Sequence, residues 1–278
     1  MPKAELRGAS IHYEISGRSG GTGDLVVLLN GIAMSIGNWK PVTDALVASG
    51  RRVLCHDFRG QMLSQKKAGP YSLRGHAEDL AALMEELGIE KADIVGTSYG
   101  GEVALEFALA FPGKTASLAV IDSVSYADPM LVAAVEGWKA CALADPLAFY
   151  RSIIAWNYSA DYIGSNRELL ARRETAMASL PRTWFEDFAG LCDAFLAIHL
   201  QGRLGTITAP TLVVWAEKDI LKGESYSRAL AAEIPGARLA MVGGSGHAVA
   251  MERPEDLAAL LKGFLQESAA GRVASRRS

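Results

Sequence analysis

Cysteine is scarce in this chain: three residues in 278, Cys55, Cys141 and Cys192, with no C-x-x-C pair among them. Neither a disulfide framework nor a cysteine zinc site is expected from so few. Long apolar runs are missing too. None approaches the 18 residues of a membrane-spanning helix, and the opening MPKAELRGAS has no apolar stretch of the kind a secretion signal carries. A surplus of one charge is also lacking. The 28 Lys and Arg against 31 Asp and Glu leave −3, which gives no electrostatic footing for nucleic acid or an anionic membrane. H-E-x-x-H, G-x-x-x-x-G-K-[ST] and G-x-G-x-x-G are all absent, so no metal or nucleotide cofactor is expected. These absences describe a cytoplasmic protein in a reducing setting. With 50% apolar and 21% charged residues, the chain has the mix and the length for one well-buried globular core.

What is present is an alternation. Short apolar runs at Ala9–Ile15, Leu25–Leu29, Val53–His56, Asp93–Val95, Leu118–Ile121, Leu212–Trp215 and Arg238–Val242 predict strands. Several, such as LVVLL, LAVI and LVVW, are continuous and β-branched, which suits strands covered on both faces of a parallel sheet. Helical periodicity fills Trp39–Ser49, His76–Leu87, Tyr99–Ala110, Ser225–Ala232 and Glu255–Gln266, with Pro254 suited to the first turn of the last one. The pattern predicts an α/β fold with a doubly wound, mostly parallel sheet.

Between Ser125 and Gly205 the alternation stops. These 81 residues read as helices only, yet they hold 11 of the 21 aromatics. Many of these rings should form the core of a small helical unit, and others should line an apolar pocket beneath it. Residues 125–205 are therefore expected to form a helical cap, or lid, on a core made of 1–124 and 206–268. Trp156 and Trp184 are the expected pocket walls. The closing stretch 269–278 is small, polar and basic and is expected to be disordered.

Two segments have the form G-x-S-x-G, a pattern short enough to arise by chance. Gly17–Gly21, around Ser19, sits in a glycine-rich loop with no helix after it. Gly96–Gly100, around Ser98, follows a strand and precedes the helical EVALEFALA. A strand-to-helix turn this tight strains its central residue and thrusts the side chain outward, while the flanking glycines remove clashing Cβ atoms. Ser98 is therefore the candidate nucleophile. The amide that follows it faces a helix N-terminus suited to an oxyanion. Its base should lie at the same edge of the sheet, where strand C-termini gather. His247, in the glycine-rich loop after the last strand, meets that requirement. His12 and His56 lie in strands, His76 opens a surface helix, and His199 ends the aromatic stretch within reach of a pocket. Two acids follow strand ends, Asp122 and Asp219.

Four segments resemble the α/β-hydrolase superfamily: LLNGIAMSIGNW (Leu28–Trp39), HDFRGQMLS (His56–Ser64), VGTSYGG (Val95–Gly101), and the pair VVWAEKD (Val213–Asp219) and GGSGHAVAMERPE (Gly243–Glu255). The resemblance spans about Ala9–Leu265. It implies the α/β-hydrolase fold with an inserted helical cap. It also implies a triad of Ser98, Asp219 and His247, since the order Ser…Asp…His selects Asp219 over Asp122. An oxyanion hole from the backbone N–H groups of Ile32 and Tyr99 follows from the same likeness. Asn30 stands where the family usually has His, and Gln61 and Met62 depart from its D-x-R-G-x-G-x-S pattern.

The expected activity is that of a serine hydrolase cleaving an ester-like bond in a small acyl substrate (carboxylic ester, lactone or thioester). Asn30-Gly31 resembles the bacterial 3-hydroxyacyl transferases, so Asn30 is a candidate substrate contact. An acyltransferase fed by acyl carrier protein or a coenzyme A thioester is the alternative. A non-catalytic ligand sensor on the same fold is the second alternative.

Overall fold

The structure is a computed structural model that describes residues 2–17, 25–65 and 70–275. The rival serine, Ser19, lies outside the described residues. Eight strands form one sheet: β1 (Lys3–Leu6), β2 (Ala9–Ser16), β3 (Leu25–Leu29), β4 (Arg52–His56), β5 (Ala92–Thr97), β6 (Thr115–Ile121), β7 (Thr211–Ala216) and β8 (Arg238–Val242). Their spatial order is β1-β2-β4-β3-β5-β6-β7-β8, parallel from β4 to β8, with β1 and β2 antiparallel at one edge. Periodicity did not reveal β1. It is four residues long and pairs only with β2, through a two-residue turn in which Arg7 and Gly8 both have positive φ, the geometry of a tight hairpin.

The helices on the sheet are α1 (Lys40–Ala48), α2 (Leu73–Glu86) and α3 (Tyr99–Ala110). Five more follow β6 in succession: α4 (Pro129–Ala144), α5 (Pro146–Asn157), α6 (Ala160–Ser165), α7 (Arg167–Ala178) and α8 (Arg182–Leu196). The chain ends with α9 (Glu224–Glu233), α10 (Val249–Glu252) and α11 (Pro254–Ser275). No described helix is long and apolar enough to cross a membrane.

The strand period of two builds two cores from one sheet. Val26 and Leu28 of β3 face α1 and α11, packing with Val42, Leu46, Leu261 and Leu265. Val27 and Leu29 face the other way, toward the buried residues Leu80, Val103 and Phe107 of α2 and α3. Continuous apolar strands therefore mark a sheet sandwiched between helices.

Between β6 and β7 the five helices leave the sheet and return through a narrow neck. Tyr126 bridges His199 as a short antiparallel pair, and the Leu200 N–H donates to the Ser125 carbonyl at 2.9 Å. Asp128 and Asp145 cap the starts of α4 and α5, each with Pro at the first helical position.

The expectation of disorder is corrected for 269–275 alone, where α11 runs on to Ser275. Arg272 near its end donates to Asp93 Oδ1 (3.0 Å) and to the Ala116 carbonyl (3.3 Å), so a basic tail residue is tied to a buried carboxylate at the foot of the sheet. Residues 276–278 lie outside the described residues.

Candidate active site

In the sheet order, β3 crosses over to β4 on one side, and the chain then continues from β5 on the other. The carboxyl ends of β3 and β5 flank that reversal, the place where ligands bind in open α/β sheets. The loop after β3 carries Ile32, and the turn after β5 carries Ser98.

Ser98 has φ 52 and ψ −123, a left-handed conformation that costs a non-glycine residue free energy. Its surroundings leave no alternative path. A Cβ on Gly96 would lie 2.1 Å from the Gly100 carbonyl oxygen, one on Gly100 2.3 Å from the Leu29 oxygen, and one on Gly101 1.9 Å from Ser123 Oγ. The turn is therefore packed against both β3 and Ser123 after β6, and at Gly96 and Gly100, where the obstacle is backbone, only glycine fits.

Ser98, His247 and Asp219 come from three separate loops and meet. The Ser98 hydroxyl lies 2.9 Å from His247 Nε2, and His247 Nδ1 lies 2.7 Å from Asp219 Oδ2. All three are buried. Asp219 Oδ1 also accepts from the backbone N–H groups of Leu221 and Lys222 at 2.7 and 3.0 Å. Burial pushes the Asp219 carboxyl up. The His247 charge and hydrogen bond, with those two N–H groups, outweigh burial and hold it below the usual carboxylate range. An ionised Asp219 selects the tautomer with the proton on Nδ1, leaving Nε2 to accept from Ser98.

Asp122, the rival acid, also sits here, fully buried at positive φ after β6. One oxygen accepts from the Ala216 N–H at 2.8 Å, and the other has no partner among the described residues. Burial, and then the neighbouring Asp219 charge, raise the Asp122 carboxyl well above its ordinary range. The surroundings push the two carboxyls in opposite directions. Asp122, Asp219 and His247 do offer three ligand-type atoms within 4.8 Å, but Nδ1 and Oδ2 are already bonded to each other.

The two expected oxyanion donors sit at the mouth of this arrangement. Ile32 and Tyr99 line the cavity beside Ser98, and neither N–H is bonded to a backbone acceptor among the described residues. Tyr99 opens α3, so its N–H is a first-turn donor with no acceptor inside the helix. Gln61 supports the other side: its Nε2 donates to the Gly31 carbonyl at 3.0 Å, which holds the loop that carries Ile32.

The cavity above Ser98 has a volume of about 450 Å³ and a mainly apolar wall. Trp138, Ile153, Met177, Phe188 and Phe195 close it from the five-helix segment. Here the expected walls need correction. Trp184 is buried inside the helical segment, stacked on Phe188 (5.8 Å between centroids) and packed against Phe149 and Phe185. Trp156 stands behind Trp138, edge to face at 6.1 Å, and Trp138 is the ring that reaches the cavity. On α8, Phe188, Cys192 and Phe195 share the cavity face at helical spacing, a stripe that periodicity could have assigned.

Asn30 is not a cavity wall either. It is fully buried, and its Nδ2 donates to the His56 carbonyl (3.3 Å) and Asp57 Oδ1 (3.2 Å). His199 is exposed and outside the cavity lining. His76, expected on a surface helix, is buried among Phe58, Tyr71 and Tyr99, next to His56. Burial lowers His56 to about 4 and His76 to about 3, so both are neutral.

Two charged residues at the site escaped sequence reasoning. Lys222 Nζ lies 3.3 Å from Ser98 Oγ and 2.9 Å from Glu102 Oε1, and both side chains are buried. The signal for Glu102 is its place in the first turn of the mostly apolar α3, one turn after Ser98, which turns it toward the same side. Lys222 follows Asp219 by three residues and carries no such signal.

A family model described as alpha/beta hydrolase fold matches residues 24–254. Among curated relatives, a protein of Azorhizobium caulinodans named "Putative carbamate hydrolase RutD" is 32% identical over 269 residues, covering 96% of this chain and 99% of that protein. Among solved structures, MGS-M2, an alpha/beta hydrolase enzyme from a Medee basin deep-sea metagenome library, superposes with a TM-score of 0.90 at 29% identity, covering 95% of this chain and 97% of the other. The enol-lactonase from Burkholderia xenovorans LB400 gives a TM-score of 0.87 at 26% identity, covering 95% and 100%.

Proposed function

The chain belongs to the alpha/beta hydrolase family, and from that premise we propose that it is a serine hydrolase cleaving a carbonyl–heteroatom bond through an acyl-enzyme on Ser98. The observation that carries this reading is the continuous hydrogen-bonded line Ser98–His247–Asp219 ending at the floor of an apolar cavity.

His247 Nε2 takes the Ser98 proton as Oγ bonds to the substrate carbonyl carbon. The carbonyl oxygen gains a negative charge and is met by the N–H groups of Ile32 and Tyr99, each worth about 2.7–4 kcal/mol of transition-state stabilisation. Asp219 stays ionised and steadies the imidazolium. The imidazolium then gives its proton to the leaving oxygen or nitrogen, and the bond to that atom breaks. Water, deprotonated by the same Nε2, attacks the acyl carbon and releases Ser98. These steps use only groups of this chain and water.

The relatives narrow the substrate. One bears the name of a carbamate hydrolase and another that of an enol-lactonase, and carbamates and lactones share an acyl carbon bonded to oxygen or nitrogen. The proposed substrates are small carbamates, lactones and esters whose acyl part fits the apolar cavity closed by the 125–205 cap. The acyltransferase alternative rested on Asn30. Its amide is turned into the protein against Asp57, away from the cavity, so nothing at the site favours an alcohol or thiol acceptor over water.

A fluorophosphonate probe tests the nucleophile. It should label the wild type and not Ser98→Ala, and the variant should lose p-nitrophenyl ester turnover by about 10⁶-fold. Equal labelling of both proteins overturns the assignment. Free acid should be the product even with an alcohol present, and ester exchange in its place would favour the transferase.

A further inference from the structure

Buried ion pairs need an explanation, because two well-packed apolar side chains in their place are often no less stable. Glu102 and Lys222 form such a pair at 2.9 Å, joining α3 to the loop after β7. The pair is not a structural strap remote from the chemistry. Lys222 Nζ also lies 3.3 Å from Ser98 Oγ and 4.4 Å from the centre of the Phe195 ring, and its side chain lines the cavity.

We propose that Lys222 is a further catalytic residue, an ammonium donor to Ser98 Oγ that stabilises the developing negative charge on the nucleophile, and that Glu102 is the positioning residue that keeps it charged and aimed. The proposal rests on Ser98 being the nucleophile. Its geometry assigns the roles. Ser98 has one hydroxyl proton, and His247 Nε2 at 2.9 Å receives it. Lys222 has only N–H groups to offer, so it donates to the Oγ lone pair. As the proton passes to Nε2 and Oγ bonds to the acyl carbon, Lys222 keeps all its protons and contributes field and hydrogen bond only. The same ammonium faces the incoming substrate from the cavity wall. Phe195 adds a ring face to the cation and shields it from water.

The charged and titratable groups facing Lys222 are Glu102 from α3, Asp122 after β6, Asp219 after β7 and His247 after β8. Asp122 accepts from the Ala216 N–H and Asp219 is engaged by His247, so Glu102, at 2.9 Å, is the carboxyl in direct contact. Glu102 Oε1 takes the Lys222 proton contact and also accepts from the Val124 N–H at 3.1 Å, which fixes its aim. Without that carboxylate, the buried Lys222 ammonium would have no counter-charge in direct contact.

The second-order rate of Ser98 labelling by a fluorophosphonate reads nucleophile reactivity independently of any natural substrate. Lys222→Met should lower that rate about thirtyfold. Glu102→Gln should lower the rate at neutral pH about tenfold, because the buried ammonium loses its counter-charge and its aim. Its alkaline limb, where labelling falls with rising pH, should move down by about one pH unit or more. In the double variant Lys222→Met/Glu102→Leu, which leaves no lone buried charge, the rate should stay as low as in Lys222→Met while the melting temperature stays near that of the wild type. The proposal is overturned if folded Lys222→Met or the double variant labels within twofold of wild type. It is equally overturned if Glu102→Gln leaves the alkaline limb in place. Failure of the wild type itself to label would overturn the serine-hydrolase reading, and the proposal with it. Normal wild-type labelling with an indifferent Lys222→Met overturns the proposal alone.

Discussion

The edge of the sheet and the five-helix segment above it are built differently. Strands β3, β5 and β6 are buried along their whole length, and the turn after β5 is crossed by backbone contacts that glycine alone permits. The helices from Pro129 to Leu196 are half exposed, and α6 has no buried residue at all. One region is over-determined and holds atoms to a geometry. The other closes the cavity with side chains carried on partly exposed helices. The proposed function puts chemistry on the first and selection on the second, so substitutions in the two regions should fail in different ways.

The largest contrast is expected at the sheet edge. Asp219→Asn should lower kcat on a p-nitrophenyl ester by about 10⁴-fold, because the wrong imidazole tautomer then faces Ser98. Asp122→Asn should cost less than about tenfold, since burial favours the protonated form of Asp122 and its hydrogen bond goes to the Ala216 N–H and not to His247. Reversal of that ranking would mean that Asp122 is the working acid.

Within the helical segment, Trp184→Ala should destabilise the protein by about 3–5 kcal/mol, measured by denaturant unfolding, because the ring is buried among Phe149, Phe185 and Phe188. Acetyl ester turnover by the folded fraction should change little. A selective loss of turnover with unchanged stability would contradict the burial of this ring.

Stability should also depend on pH through the histidines beneath the sheet edge. His56 and His76 titrate near 6.5 when unfolded and are lowered to about 4 and about 3 when folded, by burial first. The unfolded chain takes up their protons first as pH falls. Stability is therefore fully present above pH 6.5 and is lost as pH drops toward 4, by about 2 kcal/mol per histidine at pH 5. His76→Phe should flatten that slope in urea titrations, and an unchanged slope would show that the loss comes from other groups.

The smallest expected effect separates two tryptophans. Four methylenes distinguish acetyl from hexanoyl esters, a ceiling of about 3 kcal/mol, and a leaky cavity should realise about tenfold in kcat/KM. Trp138→Ala should remove most of that preference, whereas Trp156→Ala, one ring further out, should retain it. A flat wild-type profile would mean that the helical segment does not select by acyl length.

These outcomes also mark where the sequence was legible. Strands such as LVVLL and LVVW betray themselves because a strand covered on both faces must be apolar at every position. The Ser98 turn is equally local: its glycines answer clashes with the β3 backbone and the Ser123 side chain, so residue type and spacing carry the message. His247 and Asp219 follow because strand ends share an edge. The choice between Trp138, Trp156 and Trp184 could not follow, because all three suit an apolar helix face and only the crossing of α4, α5 and α8 decides which ring meets the cavity. His76 went below the surface, and the tail became helix, for the same kind of reason. A Phe58–Tyr99 cluster encloses the one, and a buried Asp93 holds the other. Nor does any local pattern join Glu102 to Lys222 across 120 residues. Periodicity records which residues must leave water. Which of them meet is settled by packing between elements distant in the chain, where each contact depends on all the others.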